Sequence, residues 1–281
     1  MGSGMKEDKH INRHLYRQIK NTQIKLFQNR VLRWYKQNQR DLPWRKTRDP
    51  YNIFLSEVML QQTQVERVIP YYNKFLKALP NFSALAKANN KTLLRLWSGL
   101  GYNSRVLRLK QCAQQILKKY NSQLPNQKTD LQKLPGIGPY TASVILAFAY
   151  NKETPVIDTN IRRILIHEFQ LSKQISDTKM EEIATILIPK GKSCIWHNAL
   201  MDYGALELTA RKTKITSKST QSNFKFSERR IRGRIIAELL GGSKDIANIA
   251  KKYPHNNFNK IITKLAKEKM IIMKGKKIRI R

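Results

Sequence analysis

Two acidic side chains in apolar surroundings are the residues of this sequence best suited to acid–base chemistry. Glu57 lies in an apolar run at residues 55–59, and Asp158 follows Val156 and Ile157 at the start of a predicted helix. Low-dielectric surroundings raise the pKa of a carboxyl group and keep a proton available near neutral pH. An acid at a helix start is favoured as the anion. Each also has a structural interpretation, a helix-surface acid for Glu57 and a helix cap for Asp158.

A turn with two glycines, LPGIGPYT at residues 134–141, joins two predicted helices. Gly136 and Gly138 let the backbone come close to a ligand, and Pro139 suits the first position of the second helix. The amide groups at that helix start, at Tyr140 and Thr141, can bind an anion such as a DNA phosphate. Such a turn anchors a duplex without reading its sequence. The alternative is an ordinary turn between helices.

The charge of the chain indicates a polyanionic partner. Among 281 residues there are 54 Lys and Arg against 19 Asp and Glu, a formal net charge of +35. Such an excess concentrates polyanions at the surface, which makes nucleic acid the expected partner. The sequence contains neither a run of about 18 apolar residues nor a secretory segment, so it does not favour a membrane as the partner. We therefore expect a soluble, cytoplasmic, nucleoid-associated protein, and we interpret residues 1–4 as an expression remnant.

Cysteine usage predicts neither a disulfide nor a metal centre. Only Cys112 and Cys194 occur, far apart and without a partner at ligand spacing. We expect both to be small apolar residues in a reducing compartment, and we expect no bound metal.

Apolar periodicity predicts an all-α fold for most of the chain. Helices are expected at residues 56–68, 83–96, 104–118, 140–150, 160–169, 178–187 and 196–208. Residues 211–225 are polar and lack an apolar period, which is typical of a basic linker. Beyond it, three helical patterns and a hairpin around Lys274-Gly275-Lys276-Lys277 resemble a small winged-helix (α+β) domain at residues 226–281.

Taken together, the motifs resemble the helix-hairpin-helix (HhH-GPD) DNA glycosylases, and residues 42–209 resemble their adenine-excising branch. The resemblance covers about three fifths of the chain. Besides the acids and the hairpin, the matching motifs are LPWR at 42–45, residues 56–65, GLGY at 99–102 and NALMDYGA at 198–205. The resemblance implies a catalytic region at residues 5–210. This region would have a six-helix part near residues 38–156 and a second helical part formed by residues 5–37 and 157–210.

The same resemblance implies roles for individual residues. Glu57 would protonate the adenine ring and help to deliver water, and Asp158 would stabilise the cationic sugar, supported by Tyr140 and Asn160. Other matches concern DNA contacts: a base pocket from Arg45 and Asp202, a duplex wedge from Gln62, Leu100 and Tyr102, and phosphate contacts from Gly136, Gly138, Tyr140 and Thr141. Asp202 has an alternative role as the partner of a nearby Arg or Lys.

Three departures from the family pattern change what is expected. The four cysteines of a [4Fe-4S] cluster are missing, and we hypothesise that basic residues such as Arg211 and Lys212 replace its electrostatic contribution. The winged-helix-like segment stands where relatives carry a Nudix-like domain. Asn103 stands where relatives often have a second aromatic residue. Family analogy leaves room for a structural monovalent cation held by backbone carbonyls near Leu134 and Ile137.

The sequence thus predicts a monomeric, monofunctional glycosylase acting on duplex DNA with a mismatched or damaged base. Bifunctional relatives place a lysine where Tyr140 stands, and a tyrosine cannot form their Schiff base. Adenine opposite guanine or oxidised guanine is the expected target. A thymine or uracil mismatch glycosylase and a non-catalytic DNA-binding protein are the alternatives.

Overall fold

The computed structural model of the chain describes residues 19–216 and 227–281. These residues form two compact units: unit 1 contains residues 19–41 and 146–216, and unit 2 contains residues 42–145 and 227–281. Residues 1–4, which we interpret as an expression remnant, lie outside the described residues. So do residues 217–225 of the linker predicted at 211–225. Both units are therefore built from two separate stretches of the chain.

The secondary structure of the described residues is mostly helical, and three short strands lie near the C-terminus. A 3₁₀ turn at Pro43–Arg45 and a π-helical turn at Tyr203–Glu207 accompany the α-helices. In chain order the helices and strands are α1 (Asn21–Asn38), α2 (Pro50–Leu60), α3 (Val65–Ala78), α4 (Phe82–Lys87), α5 (Asn90–Trp97), α6 (Ser104–Lys119), α7 (Lys128–Gln132), α8 (Pro139–Phe148), α9 (Thr159–Glu168), α10 (Asp177–Ile186), α11 (Ser193–Asp202), α12 (Ala210–Thr213), α13 (Glu228–Leu240), β1 (Lys244–Asp245), α14 (Ile246–Lys252), α15 (Phe258–Lys267), β2 (Ile271–Lys274) and β3 (Lys277–Ile280).

The centre of unit 2 is helix α2, which is buried around nearly its whole circumference. Pro50 occupies its first position, and the Asp49 side chain accepts a hydrogen bond of 3.0 Å from the Asn52 amide. Residues 53–59 are all buried, as expected of a helix that is apolar on every side. Helices α3 and α6 pack against it. A charged side chain on α2 therefore faces protein rather than water.

Unit 1 forms a second core around α1 and α11. Phe27, Val31 and Tyr35 of α1 are buried, and the Phe27 ring lies edge-on to the Trp196 ring at 5.6 Å between centroids. Helix α9 adds Ile161, Ile164 and Leu165 to this cluster. The first residues of the predicted linker belong to helix α12. The Thr209 side chain caps this helix, and the Lys212 ammonium pairs with the Glu207 carboxylate at 2.9 Å.

The C-terminal segment, residues 227–281, combines helices with a small antiparallel sheet. The strand order is β1-β3-β2, with Ile271 paired to Ile280 and Lys244 paired to Ile278. Ile278 and Ile280 face the core, while Lys277 and Arg279, which alternate with them, are exposed. The predicted fold class, all-α with a small α+β segment, is confirmed, whereas the winged-helix resemblance stays a prediction. Across the described ranges, no helix is both long and apolar enough to cross a membrane.

Candidate active site

Glu57 lies on the buried helix α2, with only 8% of its surface exposed. Its neighbours in the sequence, Leu55, Val58 and Met59, are buried apolar residues. Glu57 is therefore buried, and the helix-surface interpretation is wrong. A glycosidase uses a buried acid of this kind for proton transfer.

Arg105 of α6 ties the end of α2 to two loops of unit 2, a role that the sequence analysis missed. Its buried guanidinium donates hydrogen bonds to the carbonyls of Val58 (2.7 Å), Met59 (3.1 Å) and Gln61 (2.7 Å). It also donates to the Gly101 carbonyl at 3.1 Å. Burial lowers its pKa to about 10, so the group stays charged at neutral pH. A cation at a helix C-terminus is stabilised by the helix dipole.

The predicted wedge residues lie in the two loops that Arg105 joins. Gln62 is exposed and has a left-handed backbone (φ +57°), and Tyr102 is half-buried with φ +49°. Leu100 is buried in this structure, so a direct DNA contact would require the loop to open. The Gly101 carbonyl accepts a further hydrogen bond of 3.1 Å from the Trp97 indole. Gly99 is difficult to replace, because its φ of +104° is a conformation that residues with a Cβ rarely adopt.

The glycine hairpin forms between α7 and α8, and α8 begins at Pro139 as predicted. Gly136 has φ +83°, a conformation that favours glycine, and the Ile137 amide donates to the Leu134 carbonyl at 3.2 Å. Gly136, Gly138 and Tyr140 are exposed, whereas Thr141 is buried. Tyr140, in the first turn of α8, and the two glycines before that helix are therefore on the surface, whereas the Thr141 side chain belongs to the core.

Asp158 is the N-cap of helix α9 in unit 1. Its Oδ1 accepts a hydrogen bond of 2.7 Å from the Ile161 amide. Burial raises the pKa of Asp158, and hydrogen bonds from the amides of Ile161 and Asn160 together with the charges of Arg163 and Arg40 act in the opposite direction. The capping interpretation is confirmed, and it is compatible with catalysis because amides and nearby cations favour the anion.

His197 holds the strand-like segment that leads into Asp158. Its Nε2 accepts a hydrogen bond of 3.1 Å from the Val156 amide, and its Nδ1 donates to the Ser193 carbonyl at 2.8 Å. This arrangement requires the neutral ring with its proton on Nδ1. Burial lowers the pKa of His197 to about 4. The residue was not singled out from the sequence, because its partner Val156 lies 41 positions away.

Asn160 is oriented by Arg163, which was also missed. The Arg163 Nη2 donates to the Asn160 Oδ1 and to the Gly204 carbonyl, both at 2.6 Å, and its Nε donates to the Leu208 carbonyl at 2.8 Å. Gly204 belongs to the π-helical turn, and an added Cβ there would lie 2.8 Å from the Asn160 Cβ. Asn160 therefore sits in a packed environment that leaves its side chain little freedom.

Asp202 is fully buried and paired with Arg40. Its carboxylate accepts hydrogen bonds from the Arg40 Nε (2.6 Å) and from the Arg40 amide (3.0 Å). This is the paired role that the sequence left open for Asp202 as an alternative to the base pocket. Arg40 also favours the charged form of Asp158, so this one cation interacts with both Asp202 and Asp158. Arg45 is half-buried in unit 2, and a base-pocket role for either residue stays a prediction.

Comparison with known proteins identifies the stretch that carries these groups. Residues 55–190 match the family described as "HhH-GPD superfamily base excision DNA repair protein". This stretch is an HhH-GPD domain. It contains Glu57, the hairpin, Asp158 and Asn160, whereas Arg45, Asp202, Arg211 and Lys212 lie outside it.

Individual relatives place the chain near adenine DNA glycosylases. That of Buchnera aphidicola subsp. Baizongia pistaciae is 39% identical over 185 residues, 64% of this chain and 52% of that protein. That of Rattus norvegicus is 34% identical over 250 residues, 84% of this chain and 48% of that protein. The chain spans about half the length of these curated relatives. The predicted resemblance to the adenine branch is confirmed.

A solved structure of a thermostable thymine-DNA glycosylase also resembles the chain. It has a TM-score of 0.64 and 28% sequence identity, and the match covers 69% of this chain and 91% of that one. The match extends beyond the HhH-GPD domain to most of that protein's length.

The HhH-GPD domain does not offer ligands for an iron–sulfur cluster. Such clusters are held by about four cysteine thiolates. Cys112 is buried in unit 2, where burial raises its pKa to about 12, and Cys194 lies in unit 1. No group of three or more His, Cys, Asp or Glu side chains suited to a metal ion occurs within residues 19–216 and 227–281. The residues present therefore do not fit the cluster. The predicted monovalent cation at the hairpin stays a prediction.

Proposed function

We propose that this protein is a monofunctional DNA glycosylase that hydrolyses the glycosidic bond of an extruded adenine in duplex DNA. The observation that carries the proposal is the buried Glu57 on α2 within an HhH-GPD domain whose curated relatives are named adenine DNA glycosylases. A purine leaves from the sugar readily only when its ring is protonated, and a buried carboxyl group is suited to supply that proton.

In the proposed reaction the two acids have different tasks. Glu57 gives its proton to a ring nitrogen of adenine, and the bond between the base and the sugar carbon breaks with its electron pair going to the base. The Asp158 carboxylate stabilises the positive charge that develops on the sugar. Water then adds to the sugar carbon and returns a proton to Glu57. The product is a free base and an abasic site.

The supporting residues follow from the same proposal. Asn160, oriented by Arg163, and Tyr140 on the hairpin support the site by hydrogen bonds. Arg45, half-buried in unit 2, contacts the extruded base. The hairpin glycines and the start of α8 bind a DNA phosphate, and Arg211 and Lys212, both exposed, add positive charge. The partner is duplex DNA bound by a monomer.

Base release without strand cleavage follows from Tyr140. A Schiff base with the sugar requires a primary amine, and a tyrosine cannot provide it. We expect borohydride treatment during turnover to leave no covalent protein–DNA adduct, while Tyr140→Lys could form one. A wild-type adduct as abundant as that of a lysine-containing relative would contradict the monofunctional assignment.

A thymine or uracil mismatch glycosylase is the second candidate function. The observation that favours it is the match to the thymine-DNA glycosylase structure, whose chain is covered to 91%. Glu57 favours the purine, because a purine ring nitrogen accepts a proton readily, whereas release of a pyrimidine depends less on such an acid.

Single-turnover assays on a matrix of substrates test the proposal. Duplexes carry adenine, thymine or uracil opposite guanine, oxidised guanine or cytosine, and base release is measured with excess protein. The proposal expects the fastest release for adenine opposite guanine or oxidised guanine. Faster release of thymine or uracil supports the second candidate. No release from any duplex, combined with tight DNA binding, would identify the protein as a non-catalytic DNA-binding protein.

A further inference from the structure

The C-terminal segment of unit 2 packs against the helix that leads into the predicted wedge loop. Helix α13 contacts α5, and α5 ends at Trp97, directly before the loop of residues 98–103. A second contact joins the Asn90 side chain of α5 to the Lys269 carbonyl at 3.5 Å. The segment is therefore placed to influence the position of that loop, and the loop carries Tyr102.

Arg229, in the first turn of α13, contacts Tyr102 directly. Its guanidinium carbon lies 5.1 Å from the centre of the Tyr102 ring, and its Nη1 donates a hydrogen bond to the Tyr102 hydroxyl. The guanidinium of Arg105 lies 5.5 Å from the same ring centre. Two cations thus contact one aromatic ring, an arrangement that the ring's negative faces and its hydroxyl oxygen both favour.

The backbone of Tyr102 needs such support. Its φ of +49° lies in the left-handed region that residues with a Cβ adopt rarely. Arg105 fixes the backbone on both sides, since its guanidinium binds the Gly101 carbonyl and its amide donates to the Tyr102 carbonyl at 2.9 Å. The hydroxyl end of the side chain is held by Arg229. The loop is therefore held by Arg105 of α6 and, at the Tyr102 hydroxyl, by Arg229 of the C-terminal segment.

We propose that Arg229 is a positioning residue for base extrusion: the C-terminal segment holds Tyr102 in the orientation in which its ring enters the duplex. This inference rests on the proposed function, in which Tyr102 is part of the wedge. It assigns to the C-terminal segment a part in DNA distortion in addition to any part in DNA affinity. Unstacking a base step is costly, and a pre-oriented aromatic ring reduces the ordering that must accompany it.

The test compares Arg229→Ala and Arg229→Lys with Arg234→Ala. Arg234 is exposed on the same helix, so its loss removes the same charge without touching Tyr102. Extrusion is measured by the fluorescence of 2-aminopurine at the target position, and affinity by anisotropy on the same duplex. We expect Arg229→Ala to lower the extruded fraction and the single-turnover rate about tenfold, with an affinity within about threefold of that of Arg234→Ala. Arg229→Lys should recover part of the loss, because a cation remains near the ring.

Two further variants separate positioning from general effects. Tyr102→Phe keeps the ring and removes the hydroxyl, so it should reproduce part of the Arg229→Ala loss even if Arg229→Ala folds poorly. In a Tyr102→Ala background, Arg229→Ala should cause no additional loss of extrusion. Equal extrusion in Arg229→Ala and Arg234→Ala would overturn the inference while leaving the glycosylase proposal intact. A wild-type protein that neither extrudes nor releases a base would overturn both.

Discussion

At the scale of single residues, His197 links the segment before Asp158 to the stability of unit 1. Its ring is neutral in the folded protein, because Nε2 accepts from Val156 and burial lowers the pKa to about 4 from the ordinary 6.5. The unfolded chain therefore binds a proton more readily between these two pH values. The contribution of His197 to the free energy of unfolding is therefore complete above pH 6.5. As the pH falls towards 4, up to about 3 kcal/mol of this contribution is lost.

The measurement is the free energy of unfolding at pH 7 and pH 4.5. His197→Gln should be less stable than the wild type at pH 7 and should lose less stability on acidification, because the depressed pKa is gone. His167→Gln, at an exposed site on α9, is the control and should keep the wild-type pH dependence. If the pH dependence of His197→Gln equals that of the wild type, the assignment of this proton uptake to His197 is wrong.

The sequence predicted some site residues and missed others for a physical reason. Glu57 could be found because its apolar neighbours are adjacent in the chain, so its burial is visible locally. Arg40 and Arg163 could not, because their partners Asp202 and Gly204 lie 162 and 41 positions away. An arginine at the end of a helix or on a helix is usually a solvated surface charge. Only the tertiary structure shows that Arg40 and Arg163 form hydrogen bonds with distant parts of the chain.

At the scale of elements, Arg105 binds the C-terminal end of helix α2. The sequence period predicted one helix at residues 56–68, but α2 ends at Leu60, and α3 begins at Val65. The Arg105 guanidinium donates hydrogen bonds to the carbonyls of Met59 and Gln61, and the backbone of Gln62 has a left-handed conformation. The predicted helix at residues 83–96 is also divided, where Asn89 caps α5. The sequence analysis did not use Asn89, although asparagine favours the N-cap position.

Removing the Arg105 guanidinium should therefore destabilise unit 2. Arg105→Met keeps the length of the side chain but leaves several buried carbonyls without a donor, and each unsatisfied group costs about 1–3 kcal/mol. We expect a loss of about 3 kcal/mol in the free energy of unfolding by urea. Arg108→Met, exposed on the same helix, should change it by less than about 0.5 kcal/mol. Equal effects of the two substitutions would show that the carbonyl contacts of Arg105 contribute little.

At the scale of the whole molecule, the charge of +35 predicts DNA binding that weakens steeply with salt. The C-terminal segment is expected to provide part of this, because α15 exposes Lys260, Lys264 and Lys267 along one side. Replacing all three by alanine should reduce the slope of log affinity against log salt by about 3, near one unit for each lost phosphate contact.

The control for this slope is a second triple substitution in the same unit. Lys77, Lys87 and Lys91 are exposed on or next to α3, α4 and α5, and their loss removes the same total charge. Their replacement by alanine should leave the slope nearly unchanged. If both triple variants reduce the slope equally, net charge rather than the α15 surface governs DNA binding.

We propose that the release of adenine requires both Glu57 and Asp158. The most direct measurement is the single-turnover rate of adenine release from an adenine–oxidised guanine duplex, for the wild type, Glu57→Gln and Asp158→Asn. Each substitution keeps the shape of the side chain, and DNA affinity measured in parallel confirms that the variant still binds. We predict release by the wild type and a loss of at least about 100-fold in either variant, with affinity changed less than about threefold. Release by Glu57→Gln and Asp158→Asn at the wild-type rate would contradict the account.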